Sequence, residues 1–104
     1  MSTTYAAIWS DDGGRLAGCV RLGSSSLHLD GSASAREARR RIPYAEISSL
    51  RLARNGDALL AGRPTLVVGA RGIPEVRIAI TQPGALHELL ESLTKLTSEK
   101  GMQP

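Results

Sequence analysis

The residues with the clearest chemical potential are the arginines. Three of them are consecutive, at positions 39–41. Guanidinium groups can hold a phosphate or a carboxylate through paired hydrogen bonds. A short segment that gathers several of them could therefore bind an anion. The candidate anion-binding set consists of Arg15, Arg21, Arg36, Arg39 and Arg41.

The arginine run also fits a structural interpretation, a solvent-facing edge strand. Successive side chains of a strand point to opposite faces, so Arg39 and Arg41 would share one face and Arg40 would point to the other. Charge on an edge strand also discourages a sheet from pairing with another sheet. The alternation therefore divides the positive charge of the run between two faces of the sheet. We therefore favour the edge strand and keep anion binding as the alternative.

Other reactive side chains form no recognisable constellation. His28, His87 and the single cysteine, Cys19, have no common spacing, whereas a zinc site needs three or four converging ligands. The serines cluster in turns without a motif that would pair them with a histidine and an acid. No phosphate-binding loop pattern occurs. We predict no catalytic, metal or cofactor site and no enzymatic activity, and we interpret Cys19 as a small buried apolar residue.

The bulk composition fits one globular domain. The chain has 104 residues, 41% of them hydrophobic, and it contains no Phe, so Leu, Ile, Val and Ala must form the core. The net charge of +3 is too small an excess to indicate a nucleic-acid partner. The three aromatic residues do not interleave with basic ones either, so we expect no nucleic acid. We expect a cytoplasmic domain at 1–100 with a tail at 101–104, without a signal peptide or transmembrane segment.

Apolar residues follow a period of two over most of the chain, which is typical of β-strands. Turn-forming residues separate the strands. The segment at 32–38 is interpreted as a loop. The seven predicted strands are 5–9, 15–23, 27–29, 38–42, 47–54, 65–70 and 76–80. Between the fifth and sixth strands, residues 58–62 are interpreted as a short apolar connection, with an edge strand as the alternative. The sixth strand has little polar alternation, so both of its faces should be covered.

The period changes to that of a helix after residue 80. The leucines fall at i, i+3, i+4, i+7 and i+10, which predicts an amphipathic helix with one apolar stripe. Thr81 is predicted to cap this helix, Pro83 to lie near its first turn and Gly101 to end it. The stripe consists of Leu86, Leu89, Leu90, Leu93 and Leu96.

Three phrases carry a resemblance to a known fold: "RRRIPYAEISSLRL" at 39–52, "PTLVVGARGIPEVRIAI" at 64–80 and "GALHELLESL" at 84–93. Together with the order of elements, they resemble the pleckstrin-homology-like (PH-like) superfold, and most of all its small bacterial members, over about residues 4–97. The resemblance implies a partly open barrel of about seven antiparallel strands in two near-orthogonal sheets, capped by one amphipathic helix. In it, Ile42 and Ile47 point inward.

The resemblance also implies a binding function. It favours a non-enzymatic module for protein interaction or assembly, with a protein partner or a second copy of the chain. The alternative is a weak binder of an anionic ligand or phospholipid headgroup. The phosphoinositide-binding members carry a basic pattern around the first hairpin, whereas this chain has Asp11 and Asp12 there. That departure argues against tight phosphoinositide binding.

Overall fold

The computed structural model describes residues 3–11, 14–34, 36–56, 59–60, 62–82 and 84–100. Several sequence predictions lie outside these ranges. They concern Asp12 in the first hairpin, Pro83 before the helix, part of the connection at 58–62, and the helix end at Gly101 with the tail at 101–104.

The described residues form seven antiparallel strands and a C-terminal helix, which confirms the predicted fold class. A short 3-10 turn, Tyr44–Glu46, joins the fourth strand to the fifth. The helix α1 spans Ala85–Lys100. The strands are β1 Thr3–Asp11, β2 Gly14–Leu22, β3 Ser26–Ala33, β4 Arg36–Pro43, β5 Ile47–Ala53, β6 Thr65–Ala70 and β7 Ile73–Ile80.

All seven strands belong to one continuous sheet with the order β4-β3-β2-β1-β7-β6-β5. The link between its halves is β1, which pairs with β2 on one side and with β7 on the other. The two predicted sheets are therefore the two halves of one curled half-barrel. Within the described strands, β4 and β5 each have one neighbour and form its edges. We call the concave side, which holds Trp9, Val20 and Leu29, the inner face.

The strand β6 has the bounds that the sequence predicts, and five of its six residues are buried. Leu66 and Val68 belong to the inner core. Val67 points to the outer face and is still only 2% exposed. Its cross-strand neighbours are Arg51 and Arg77, whose long apolar stems lie beside it.

The segment at 32–38 is not a loop. Instead, β3 continues to Ala33 and β4 begins at Arg36, so the two strands form a hairpin. The sequence predicts that the third strand ends at Leu29, because the next residues, Asp30 and Gly31, are turn formers. Gly31 lies inside the strand, and its role there is to make room for Trp9. A Cβ at this position would lie 2.8 Å from Trp9 Nε1, which leaves no space for a side chain. The same indole N–H donates to the Asp30 carbonyl oxygen at 3.0 Å.

The helix packs on the 3-10 turn and on β5, β6 and β7, so it lies at the corner between the two edge strands. Leu89 and Leu93 are fully buried, and the other three leucines of the stripe are partly buried. Thr81 does not cap the helix, as its hydroxyl donates to the Ala6 carbonyl oxygen at 3.3 Å and holds the end of β7 against β1.

Candidate functional site

The structure does not bring the five predicted anion-binding arginines together. Arg15 and Arg21 share the outer face of β2 but lie six residues apart, about 20 Å along a strand. Arg39 and Arg41 share the outer face of β4, as the alternation predicts. Arg36 lies on the inner face, and there it contacts a carboxylate.

That carboxylate is Asp11, at the end of β1. Arg40 Nη2 donates to Asp11 Oδ2 at 2.6 Å, and Arg36 Nη2 donates to Asp11 Oδ1 at 3.3 Å. The Asp11 side chain is only 2% exposed. Two arginines of β4 thus reach across the inner face, past β3 and β2, to one buried acid. Sequence reasoning treated Asp11 only as a charge that repels phosphate, because nothing local in the sequence relates β1 to β4.

Three side chains on the outer face lie in one cross-strand row. In the sheet register, Arg21 on β2 is opposite His28 on β3, and His28 is opposite Arg41 on β4. We call these three residues the cation row. A depression of about 450 Å³ lies over the row. Sequence reasoning named the two arginines but assigned His28 to no site, because it could not place the three strands in register.

One of the two arginines in the row is held by a hydrogen bond. Arg41 Nε donates to the hydroxyl of Ser26 at 3.2 Å, and Ser26 is only 2% exposed. In the next row, Arg39 Nε pairs with Asp30 Oδ1 at 3.4 Å. Among the described residues, no side-chain hydrogen bond or ion pair involves the side chain of Arg21 or His28. The row therefore holds one anchored arginine and two further nitrogen-bearing side chains.

Tyr44 lies on the inner side near this end of the sheet. It is fully buried, and its hydroxyl donates to the Gly23 carbonyl oxygen at 2.8 Å. Burial raises the pKa of the Tyr44 phenol, and the positive charge of Arg21 partly opposes that rise. The phenol anchors the turn between β2 and β3, from which Arg21 and His28 extend.

The prediction that Cys19 is buried is wrong. Cys19 lies partly exposed on the outer face, because it alternates with the inward-facing Gly18 and Val20. It lines a second depression, of about 370 Å³, whose floor is formed mainly by small residues. The described residues contain no group of His, Cys, Asp or Glu that could hold a metal ion. None of the helices in the described part of the chain is both long and apolar enough to span a membrane.

A third surface feature is a groove between β5 and the helix, with a volume of about 240 Å³. We call it the β5 groove. Sequence reasoning missed it, because its two sides lie more than forty positions apart. The one local signal is the pair Ser48-Ser49, which interrupts the apolar alternation of β5. The groove is lined by Ile47, Ser48, Ser49, Leu50, Thr94 and Thr97.

The two edge strands differ sharply in charge. In β4, five of the eight residues are charged, and Pro43 ends the strand. In β5, Arg51 is the one charged residue among seven. A bulge between Ile47 and Ser49 shifts the register of β5 against β6. Charge, proline and bulges are all devices that limit pairing at a sheet edge. The β4 edge carries five charges and a proline, whereas β5 carries one charge and the bulge.

Comparison with known proteins supports the fold alone. No protein-family model matches the chain, and no curated protein matches it. Among solved structures, the chain is similar to the C-terminal domain of an unknown protein from Leishmania infantum. The two share 14% sequence identity with a TM-score of 0.63, over 88% of this chain and 80% of that one. The curled sheet with its terminal helix is therefore an arrangement that also occurs in a crystal structure.

Proposed function

We propose that this chain is a non-enzymatic, PH-like protein-interaction module of a bacterial cytoplasmic protein, and that it binds an extended segment of a partner at β5. The order of seven strands and a terminal helix supports the PH-like assignment. The segment would add to the sheet as a further strand, with one edge paired to β5 and the other edge facing the helix. Main-chain hydrogen bonds would provide affinity, and the side-chain groove would provide selectivity.

The observation that carries this proposal is the state of the β5 edge. Among the described strands, β5 pairs only with β6, so its other side presents main-chain donors and acceptors. The β5 groove runs beside that edge and contains serine and threonine hydroxyls next to Ile47 and Leu50. Such a surface suits a segment with small or polar side chains on one face.

The opposite edge is a poorer template. An incoming strand at β4 would meet consecutive arginines, and Arg36 and Arg40 are already bound to Asp11. Pairing there would separate or crowd these charges. The proposal therefore commits to β5.

The test starts with a display library of random linear peptides, from which binders are selected and synthesised. Affinity is measured by calorimetry, and the site is mapped by amide hydrogen exchange. We expect amides of β5 to gain protection on binding. Methylating alternate backbone nitrogens of the peptide should abolish binding, because it removes ladder donors.

Two matched helix variants provide the control. Thr94→Trp fills the β5 groove and should weaken binding at least about tenfold, the effect of losing one or two good contacts. Lys95→Trp adds the same side chain one position along, outside the groove, and should leave the affinity within about twofold. Equal affinities for the two variants, or protection at β4 instead of β5, would contradict the proposal.

Self-association uses the same chemistry and is distinguished by hydrodynamics. Sedimentation over a concentration series tests whether a second copy occupies β5. Concentration-dependent dimers that Thr94→Trp removes would identify the partner segment as part of the chain itself. If the protein is a monomer at all concentrations, a second copy does not occupy β5, and the proposal is judged by the binding of the selected peptides.

A further inference from the structure

The cation row on the outer face has a geometry suited to one compact anion. Arg21 and Arg41 lie on the two strands that flank β3, so their backbones are about 10 Å apart. Their long side chains can converge above the shorter His28 between them. The depression over the row is open to solvent and has a volume of about 450 Å³, which is ample for such a group.

The charge around the row is unbalanced. The guanidinium groups of Arg21 and Arg41 line the depression with His28, whereas the charge of Arg40, which also lines it, is paired with Asp11 at 2.6 Å. Asp30 also lines it, but its carboxylate pairs with Arg39 at 3.4 Å. Among the described residues, neither Arg21 nor Arg41 has a carboxylate within ion-pair distance. An anion over His28 would supply a counter-charge.

The donors favour one class of anion. Arg41 is held through its Nε by the buried hydroxyl of Ser26, which leaves its two terminal nitrogens for a ligand. Arg21 offers a second guanidinium, and His28 a ring N–H between them. A phosphate monoester presents three acceptor oxygens and close to two negative charges. A diester presents fewer oxygens and one charge, so it matches three donors less well.

We propose that the cation row of Arg21, His28 and Arg41 binds a phosphate monoester on the outer face of the sheet. This site shares no residue with the β5 groove and does not rest on the peptide-binding proposal. It keeps two of the five arginines that the sequence predicts and adds His28. It excludes Arg15, which is distant, and Arg36, which lies on the other face. Arg39 and Arg40 form its rim.

The first experiment uses phenyl phosphate as the probe free in solution. It is titrated into isotope-labelled protein, and amide shifts are followed by NMR. We expect saturable shifts at β2, β3 and β4 around the row. Vesicles of phosphatidylcholine with phosphatidic acid provide the lipid source of the same monoester, and flotation measures binding. Vesicles with phosphatidylglycerol, a diester, control for surface charge.

The outcomes separate the two sources. Shifts with phenyl phosphate but no flotation support a small phosphorylated molecule. Flotation with phosphatidic acid but not with phosphatidylglycerol supports a lipid headgroup. Equal flotation with both lipids and no phenyl phosphate shifts would overturn the proposal, because charge alone would then explain binding. No response to either monoester would overturn it as well.

Substitutions test the row itself. Arg21→Gln and Arg41→Gln should each weaken binding about tenfold or more, as expected when a hydrogen bond to a charged group is lost. Arg15→Gln removes the same charge from the same face of β2, and it should change affinity less than about twofold. Asp30→Asn should tighten binding by about two- to threefold, because it removes a negative charge at the rim.

Two results with these variants would overturn the proposal. One is an equal loss for Arg15→Gln and Arg21→Gln, which would indicate net charge instead of a site. The other is weaker binding by Asp30→Asn, which would indicate that the carboxylate takes part in binding. Thermal melts of each variant show whether the fold is retained, and Thr94→Trp in the β5 groove should bind phenyl phosphate normally.

Discussion

At the residue scale, the single tryptophan explains why one glycine is misread in the sequence. Trp9 is fully buried, and its ring occupies the space that a Gly31 side chain would need. A glycine within a run of turn formers resembles a strand end. Its true role depends on a ring twenty-two positions away, which local sequence rules do not contain.

This contact makes Gly31→Ala a sensitive substitution. The new Cβ would lie 2.8 Å from Trp9 Nε1 and 2.9 Å from Leu16 Cβ, which is closer than real contacts. We expect a loss of about 1–3 kcal/mol in the free energy of unfolding, as is typical of overpacking. Urea unfolding followed by Trp9 fluorescence measures it. Ser32→Ala, on the exposed neighbour, should stay within about 0.5 kcal/mol. Equal midpoints for the two variants would contradict this account.

The two tyrosines give the fold a predictable response to alkali. Burial raises the pKa of both phenols above the ordinary value of about 10. At Tyr5, a 3.0 Å hydrogen bond to Glu88 and the charge of that carboxylate raise it further. The folded state therefore favours the neutral phenols. Their contribution to stability is complete below the unfolded pKa and is lost as the pH rises through the folded one.

We therefore expect the thermal unfolding midpoint to decrease as the pH rises above about 10, because the phenols of the unfolded chain ionise first. In an alkaline titration, tyrosinate absorbance should appear together with the loss of circular dichroism, at a higher pH than in free tyrosine. Tyr5→Phe should remove part of the pH dependence and leave the part due to Tyr44. Ordinary titration of both phenols in an intact fold would contradict the prediction.

At the element scale, periodicity predicts well where packing follows it. The strand β6 has its predicted bounds, and the helix fully buries Leu89 and Leu93 of the predicted stripe. Periodicity fails at the β3–β4 hairpin, where Gly31 and the residues at 32–38 lack an apolar pattern. That failure affects the candidate site. With Arg36 assigned to a loop, the alternation of β4 could not be extended back to show that Arg36 shares the inner face with Arg40.

The helix should contribute strongly to stability through two residues. Leu89 and Leu93 are both 0% exposed and belong to the core cluster. Leu89→Ala or Leu93→Ala should each cost about 2–5 kcal/mol, since each leaves a cavity under the helix. Leu90→Ala is the matched control on a partly buried leucine and should cost clearly less. Urea denaturation gives the values. Unchanged midpoints for Leu89→Ala and Leu93→Ala would mean that the helix does not dock as described.

At the scale of the whole molecule, one strand pairing determines the shape. Pairs such as Ala7 with Ile80 join β1 to β7 across most of the chain and unite two meanders into one sheet. The sequence predicts the number and order of strands, because those follow from local patterns. It cannot predict which strands become edges, because that depends on this distant pairing. The candidate sites share this limit, since each combines residues from separate elements.

The sheet order predicts a gradient of hydrogen exchange across the molecule. Amides of β1 are enclosed by β2 and β7, so they should exchange only through global unfolding. Amides of β4 pair with β3 alone, in a strand whose outer arginines contribute little packing. They should exchange through local opening, at a free energy clearly below the global value.

At the other edge, β5 has the helix beside it, and we expect protection between that of β1 and that of β4. Native-state exchange measured by NMR in low concentrations of denaturant ranks the three strands. The ranking bears on the proposed function. A partner strand at β5 should raise the protection of the β5 amides toward that of β1 and leave the protection of β4 unchanged. Slower exchange in β4 than in β1 would contradict the strand order on which both proposed sites are placed.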